Sequence, residues 1–136
     1  MKRIVAAVDL SEPSLRAVDL AADLASKYDA ELVLLAVGHA VAAGPELGII
    51  NESMIESMRD GIATVRDRAA AKGARRISTE VFVGDPAEQI LSCANAPQAD
   101  LIAIGSRGHS RLAGLLLGGV AQKVVSLARC AVLVVH

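Results

Sequence analysis

The sequence predicts an α/β domain built on a parallel sheet. Three observations carry this. Five short apolar runs punctuate the chain, helical patterns fill the intervals between them, and the apolar residues are almost all aliphatic. Strand–helix alternation of this kind gives parallel strands joined by right-handed crossovers. Apolar residues make up 53% of the chain, yet Tyr28 and Phe82 are its only aromatics, so the core must be built from Ala, Val, Leu and Ile. Such residues suit strands covered by helices on both faces. The 136 residues suit one domain spanning 1–136. A domain of this size buries about two-thirds of its unfolded surface and needs no metal or disulfide to fold.

The strand candidates are Arg3–Val8, Glu31–Val37, Ile77–Val83, Asp100–Ile104 and Ala131–Val135. Four are nearly continuous in apolar residues, as buried strands should be. The run ISTEVFV alternates more, which points to a less covered strand at an edge. The first helix is expected from Ser11 to Tyr28, with Leu15, Val18, Ala22 and Ala25 on its inner face. Ser11 is a candidate N-cap, and Pro13 sits in the first turn, where a missing N–H costs nothing. Asn51 to Lys72 repeats Met54, Ile55, Met58, Ile62, Val65 and Ala69, and Gly73 is placed to stop it. Asp85 begins a third helix that runs to about Asn95, with Pro86 in its first turn, and Gly118 to Ala128 makes the fourth. Val37 to Ile50 is a long connection containing Gly38, Gly44, Pro45 and Gly48, and reads as a loop over the sheet.

Composition excludes several functions. The net charge is −1, from 14 basic and 15 acidic residues, which provides no basic field for nucleic acid. The apolar runs fall short of the roughly 20 residues that span a membrane. The start MKRIVAAVDL meets Asp9 after five apolar residues, so no signal peptide is expected. Cys93 and Cys130 lack CxxC spacing and read as buried small hydrophobes in a reducing compartment, so the expected location is cytoplasmic. His39, His109 and His136 are far apart and form no ligand motif, so no metal site is expected from protein side chains alone. No GxSxG elbow surrounds Ser14, Ser106 or Ser110, and no GxxxxGK[ST] loop is present, which argues against a serine hydrolase and an efficient NTPase. Met54 and Met58 fall at helical spacing and read as core.

Chemistry concentrates where strands end, because open α/β sheets bind ligands beyond the carboxyl ends of their strands. Asp9 ends the first strand. It either contacts a ligand or caps the helix that follows, and the two roles are compatible. After the fourth strand comes GSRGHSRLAGLLLGGVAQKV, with Gly105, Gly108, Gly114, Gly118 and Gly119. Glycine lets a ligand approach the backbone, and successive N–H groups can cradle an anion. Gly118 and Gly119 open a helix whose N-terminus favours phosphate, with Arg107 and Arg111 near. The plain alternative is a glycine-rich turn with solvated arginines. His109 reads either as an exposed loop histidine or as a phosphate contact.

At these residues the chain resembles the universal stress protein family. Nucleotide-binding members carry G-x2-G-x9-G-[S/T], and Gly105, Gly108 and Gly118 match that spacing in full. The segments IVAAVDLSEPSLRAVDLAADLA, GDPAEQIL, LIAIGS and ARCAVLVV resemble the family as well. The resemblance implies a five-stranded parallel sheet of order 3-2-1-4-5, of the Rossmann-like adenine nucleotide alpha hydrolase type. It implies ATP or a related adenine nucleotide as ligand, with Mg2+ only alongside it. Asp9 would meet the nucleotide, Ala7 and Val37 would line the base, and Gly105, Arg107, Gly108, Gly118, Gly119 and Val120 would surround ribose and phosphates. It also implies a homodimer through the fifth strand, Ala131 to Val135, whose apolar edge needs covering. The chain departs from the pattern at Gly119, which replaces the usual Ser/Thr, and at Ala121, where a further hydroxyl is common. Each lost hydroxyl forfeits about 0.5–1.5 kcal/mol, more against a charged group. Two readings therefore compete: a nucleotide-binding stress regulator, and a homodimer of the same family that acts through protein contacts alone. Slow nucleotide hydrolysis ranks last.

Overall fold

The computed structural model describes residues 1–38, 47–107 and 117–136, with 47–51 described as backbone only. The elements are β1 (Arg3–Val8), α1 (Glu12–Tyr28), β2 (Glu31–Gly38), α2 (Leu47–Ala71), β3 (Arg76–Val83), α3 (Pro86–Asn95), β4 (Leu101–Gly105), α4 (Gly119–Leu127) and β5 (Ala131–Val135). The five strands form one sheet of order β3-β2-β1-β4-β5, and every pairing is parallel. This is the predicted order. β3 stands at an edge, as its alternation predicted, and carries exposed Glu80 and Phe82.

Each face of the sheet carries two helices. On one, Ala17, Val18, Ala21, Ala22 and Ala25 of α1 and Ile62, Val65 and Ala69 of α2 pack on Ile4, Leu32, Leu34 and Ala103. On the other, Ile90 and Ala94 of α3 and Ala121 and Val124 of α4 pack on Val5, Val33 and Ile102. The alanines of α1 are at most 1% exposed. With no larger side chain between them, helix and sheet approach closely and fill space without aromatic volume.

Helix ends follow the local chemistry. The Ser11 hydroxyl accepts a hydrogen bond from Ser14 N (3.3 Å) at the start of α1, and the Asp85 carboxylate accepts one from Glu88 N (3.0 Å) at the start of α3. Gly73, at φ +105°, follows the end of α2. Most other boundaries lie within a residue of expectation, and one differs by more. α2 begins at Leu47, whereas the sequence placed a loop as far as Ile50. Gly48 costs a helix only about 1 kcal/mol, and an extra turn of backbone hydrogen bonds outweighs that penalty.

The strand N-terminal edge is pinned by polar contacts. Asp100 accepts the backbone N–H groups of Lys2 (2.6 Å) and Arg3 (3.0 Å), which hold its carboxyl below the usual range. The buried Arg3 guanidinium donates to the carbonyls of Cys93 and Pro97, both at 2.9 Å. Cys93 and Cys130 are half-buried and pack beside the core of the α3/α4 face. Burial pushes both thiols up. Among the described residues no helix is long and apolar enough to cross a membrane.

Candidate functional site

The opposite, C-terminal edge of the sheet carries a cavity of about 590 Å³. Parallel strands β1 and β4 lie side by side, yet their chains depart to opposite faces, β1 into α1 and β4 toward α4. The crevice between those departures is where this fold class accepts ligands. The ends of β1, β2 and β4 make its floor, with Met54, Met58 and Ile62 of α2 along one side. Pro86 and Ile90 of α3 and the first turn of α4 stand on the other.

Asp9 is held in place. Its Oδ1 accepts from Ser11 N (2.9 Å) and Ser11 Oγ (2.5 Å), while its own N–H donates to Ser14 Oγ (3.1 Å). Ser14 Oγ in turn donates to the Ala7 carbonyl (3.2 Å). Asp9 therefore does not cap α1 itself. It orients Ser11, which does, and it also lines the cavity. Leu10 makes the turn out of β1 at φ 66°, a left-handed conformation rare for leucine, and lines the cavity at its half-exposed rim.

Ser106 joins three elements through its backbone. Its N–H donates to the Val135 carbonyl (2.7 Å), and its carbonyl accepts from Gly118 N (2.7 Å). That second bond brings the start of α4 beside the end of β4. The Gly118 N–H is thereby occupied, so the N–H groups that α4 offers a ligand are those of Gly119, Val120 and Ala121. Gly118, the N-cap, makes no side-chain cap bond. A Cβ on Gly119 would have nothing within 4 Å. Among the described residues nothing crowds the start of the helix, and its first turn lines the cavity.

Of the residues anticipated at the site, Ala7, Asp9, Val37, Gly105, Arg107, Gly118, Gly119 and Val120 all line this one cavity. Gly108 lies outside the described residues, as do His39, Gly44, Pro45, His109, Ser110, Arg111 and Gly114. Two readings change. Gly105 is glycine because of packing: a Cβ there would stand 2.8 Å from Ser14 N and 3.0 Å from Pro13. Met54 and Met58, read as core, line the cavity, although Met58 also packs against core side chains. Sequence reasoning missed Leu10, Ile62, Ile90 and Ser106. The strand ends were findable from the crossover rule, whereas the helix residues required knowing where α2 and α3 cross the sheet edge.

Asp9 and Arg107 are the charged side chains among the described lining residues. The end near β2 and α2 is apolar, with Leu35, Val37, Met54 and Met58. The end near α4 is polar through its backbone. An amphiphilic ligand with a flat apolar part and an anionic part fits that division.

The model of the universal stress protein family matches residues 1–136. The chain belongs to that family. A universal stress protein of Methanocaldococcus jannaschii is 35% identical over 98% of this chain and 81% of its own length. UspA of Lactobacillus plantarum superposes with a TM-score of 0.90 at 26% identity, covering 99% of this chain and 97% of that one. A universal stress protein solved in complex with cAMP superposes at 0.80 with 28% identity, again covering 99% and 97%. The family's stress-response class and its sheet order are thus those of this chain.

Proposed function

We propose that this universal stress protein binds ATP or a related adenine nucleotide in the cavity and acts as a regulator rather than a catalyst. One observation carries the reading: the first turn of α4, whose N-cap is a glycine with no side chain to cap it, opens onto the same cavity whose far end is apolar. The N–H groups of Gly119, Val120 and Ala121 take the phosphates, assisted by Arg107. Ala7 and Val37 line the base, and Asp9 faces the sugar. The cAMP complex of a neighbour supports an adenine nucleotide as the ligand class. Among the described residues no group of three or more His, Cys, Asp or Glu is placed to hold a metal. In this reading Mg2+ enters only with the nucleotide's phosphates. The absent GxxxxGK[ST] loop, and an Asp9 carboxylate already engaged by Ser11, support binding without efficient hydrolysis. Cytoplasmic location is part of this proposal.

Denaturing the purified protein and identifying the released small molecules by mass spectrometry tests the reading. It should release an adenine nucleotide, and isothermal titration of emptied protein should favour ATP over adenosine. An empty protein that gives no heat with ATP, AMP or cAMP at millimolar concentration refutes it. A second reading then takes over, a homodimer working through protein contacts alone. The missing hydroxyls at Gly119 and Ala121 favour it. Under either reading we propose that β5 pairs with β5 of a second copy. Among the described residues it pairs only with β4, which leaves its outer edge open.

A further inference from the structure

Two of the chain's three methionines stand together in the cavity wall. Met54 and Met58 are one turn apart on α2 and share a face of it. Both reach over Gly38 at the end of β2. A Cβ on Gly38 would lie 3.1 Å from the Met54 sulfur and 2.9 Å from the Met58 sulfur, so the two thioethers converge on one point. Both side chains are only half-buried, and what they leave uncovered faces the cavity. The absence of a side chain at residue 38 gives the two flexible tips their place over the end of β2.

We infer that Met54 and Met58 form an oxidation site in the cavity wall, at which a peroxide converts the thioethers to sulfoxides and so expels the bound nucleotide. The inference rests on the nucleotide reading above. The chemistry is a two-electron oxygen transfer. A sulfur lone pair attacks one peroxide oxygen, the S–O bond forms as the O–O bond breaks, and the other oxygen leaves as water after proton transfer. Sulfur is oxidised and peroxide reduced. The product replaces a soft apolar surface with a polar, chiral S=O group. At this end of the cavity Val8, Ala36 and Ile62, on the same face of the sheet as Met58, present hydrocarbon, so among these described side chains a sulfoxide pressed against a bound base finds no hydrogen-bond donor. The empty cavity lets water solvate it. Oxidation therefore favours the ligand-free protein. Cys93 and Cys130 do not line the cavity, and burial pushes their thiols up, which slows their own reaction with peroxide.

The test uses the whole chain, hydrogen peroxide and ATP. Peptide mass spectrometry reads oxygen gain at Met1, Met54 and Met58, and isothermal titration reads ATP affinity before and after treatment. Oxidation of Met54 and Met58 should weaken ATP binding at least tenfold. The loss should survive dithiothreitol alone and be reversed by methionine sulfoxide reductases A and B, which separates it from thiol oxidation. Saturating ATP should slow oxidation of Met54 and Met58 but not of exposed Met1. In a Met54→Leu, Met58→Leu variant, the ratio of affinities before and after peroxide should stay within twofold of one, whatever the variant's starting affinity. Met54 and Met58 remaining unoxidised after Met1 has reacted fully would overturn the inference. So would unchanged ATP affinity in protein oxidised at both sites, or an equal loss in the leucine variant. Untreated protein that binds no ATP is a different failure: it removes the nucleotide reading itself, before any oxidant is added.

Discussion

A Cβ on Gly105 would stand 2.8 Å from the backbone nitrogen of Ser14, a separation that real side chains do not adopt. The end of β4 therefore packs directly on the first turn of α1. The same turn is fixed to β1, because Ser14 Oγ donates to the Ala7 carbonyl and accepts from Asp9 N–H. Neither neighbour of Gly105 is a flexible tip that can swing aside, so any side chain there displaces the backbone on which Asp9 and Ser11 are built.

Gly105→Ala should destabilise the protein by about 1–3 kcal/mol, the usual cost of overpacking. Gly119→Ala is the matched control. Its Cβ meets nothing among the described residues, and replacing glycine in the first turn of α4 should be neutral or stabilise by up to about 1 kcal/mol. Urea unfolding followed by circular dichroism compares the two. Equal losses would show that neither effect is local packing.

Gly119→Ser should strengthen ATP binding by about 1–1.5 kcal/mol, or roughly tenfold, through one hydroxyl to a phosphate. No described residue stands within 4 Å of the place a side chain at 119 would take. Ala121 is 2% exposed, so adding Ala121→Ser should contribute less, since part of that hydroxyl's gain offsets its burial. Adenosine affinity should change little in either variant. Isothermal titration with both ligands decides this, and a gain for adenosine equal to that for ATP would rule out phosphate contact.

Arg68 of α2 holds Asp19 of α1 by two bonds, Nε to Oδ1 and Nη2 to Oδ2, both 2.7 Å. The Arg68 guanidinium holds the Asp19 carboxyl below its usual range. A lowered folded-state pKa means the pair contributes fully above the unfolded value, near 3.9, and loses its contribution as pH falls through the folded value. Asp19→Asn should cost about 0.5–1 kcal/mol at neutral pH, because solvent screens so exposed a pair. The difference from wild type should shrink below about pH 4. Thermal unfolding between pH 3 and 7 measures it.

Gly61 lies within α2, and a Cβ there would come 3.0 Å from Leu10 Cδ1. Leu10 is 49% exposed and can swing outward. Gly61→Ala should therefore stabilise the protein by about 0.5–1 kcal/mol through helix entropy. A loss of stability would show that Leu10, in its left-handed turn, cannot yield.

Light scattering at micromolar concentration should give about twice the 14.0 kDa chain mass. Val134→Lys should return the monomer mass. Val134 also packs toward the α3/α4 core, so circular dichroism must show the variant folded. A folded variant that remains dimeric removes β5 as the interface.

Much of this protein is legible in one dimension. Buried parallel strands declare themselves as unbroken aliphatic runs, and β1 and β5 carry the predicted boundaries. Ser11 and Asp85 mark helix starts because their hydroxyl and carboxylate reach a backbone N–H three residues on, an interaction confined to neighbouring residues. Asp9, Gly118 and Gly119 were findable as cavity-lining residues because clefts in this fold class open at strand ends. Tertiary structure decided what each of these residues is for. Gly105 is glycine for the sake of α1, ninety residues earlier in the chain, and no local pattern contains that contact. Met54, Met58 and Ile62 continue the same helical stripe as the core residues Val65 and Ala69. Periodicity identifies the stripe, but only the crossing of α2 over the end of β2 decides where burial stops and the cavity begins. Local propensities are written in residues a few positions apart. A cavity is the space left between elements, and its shape depends on their three-dimensional placement.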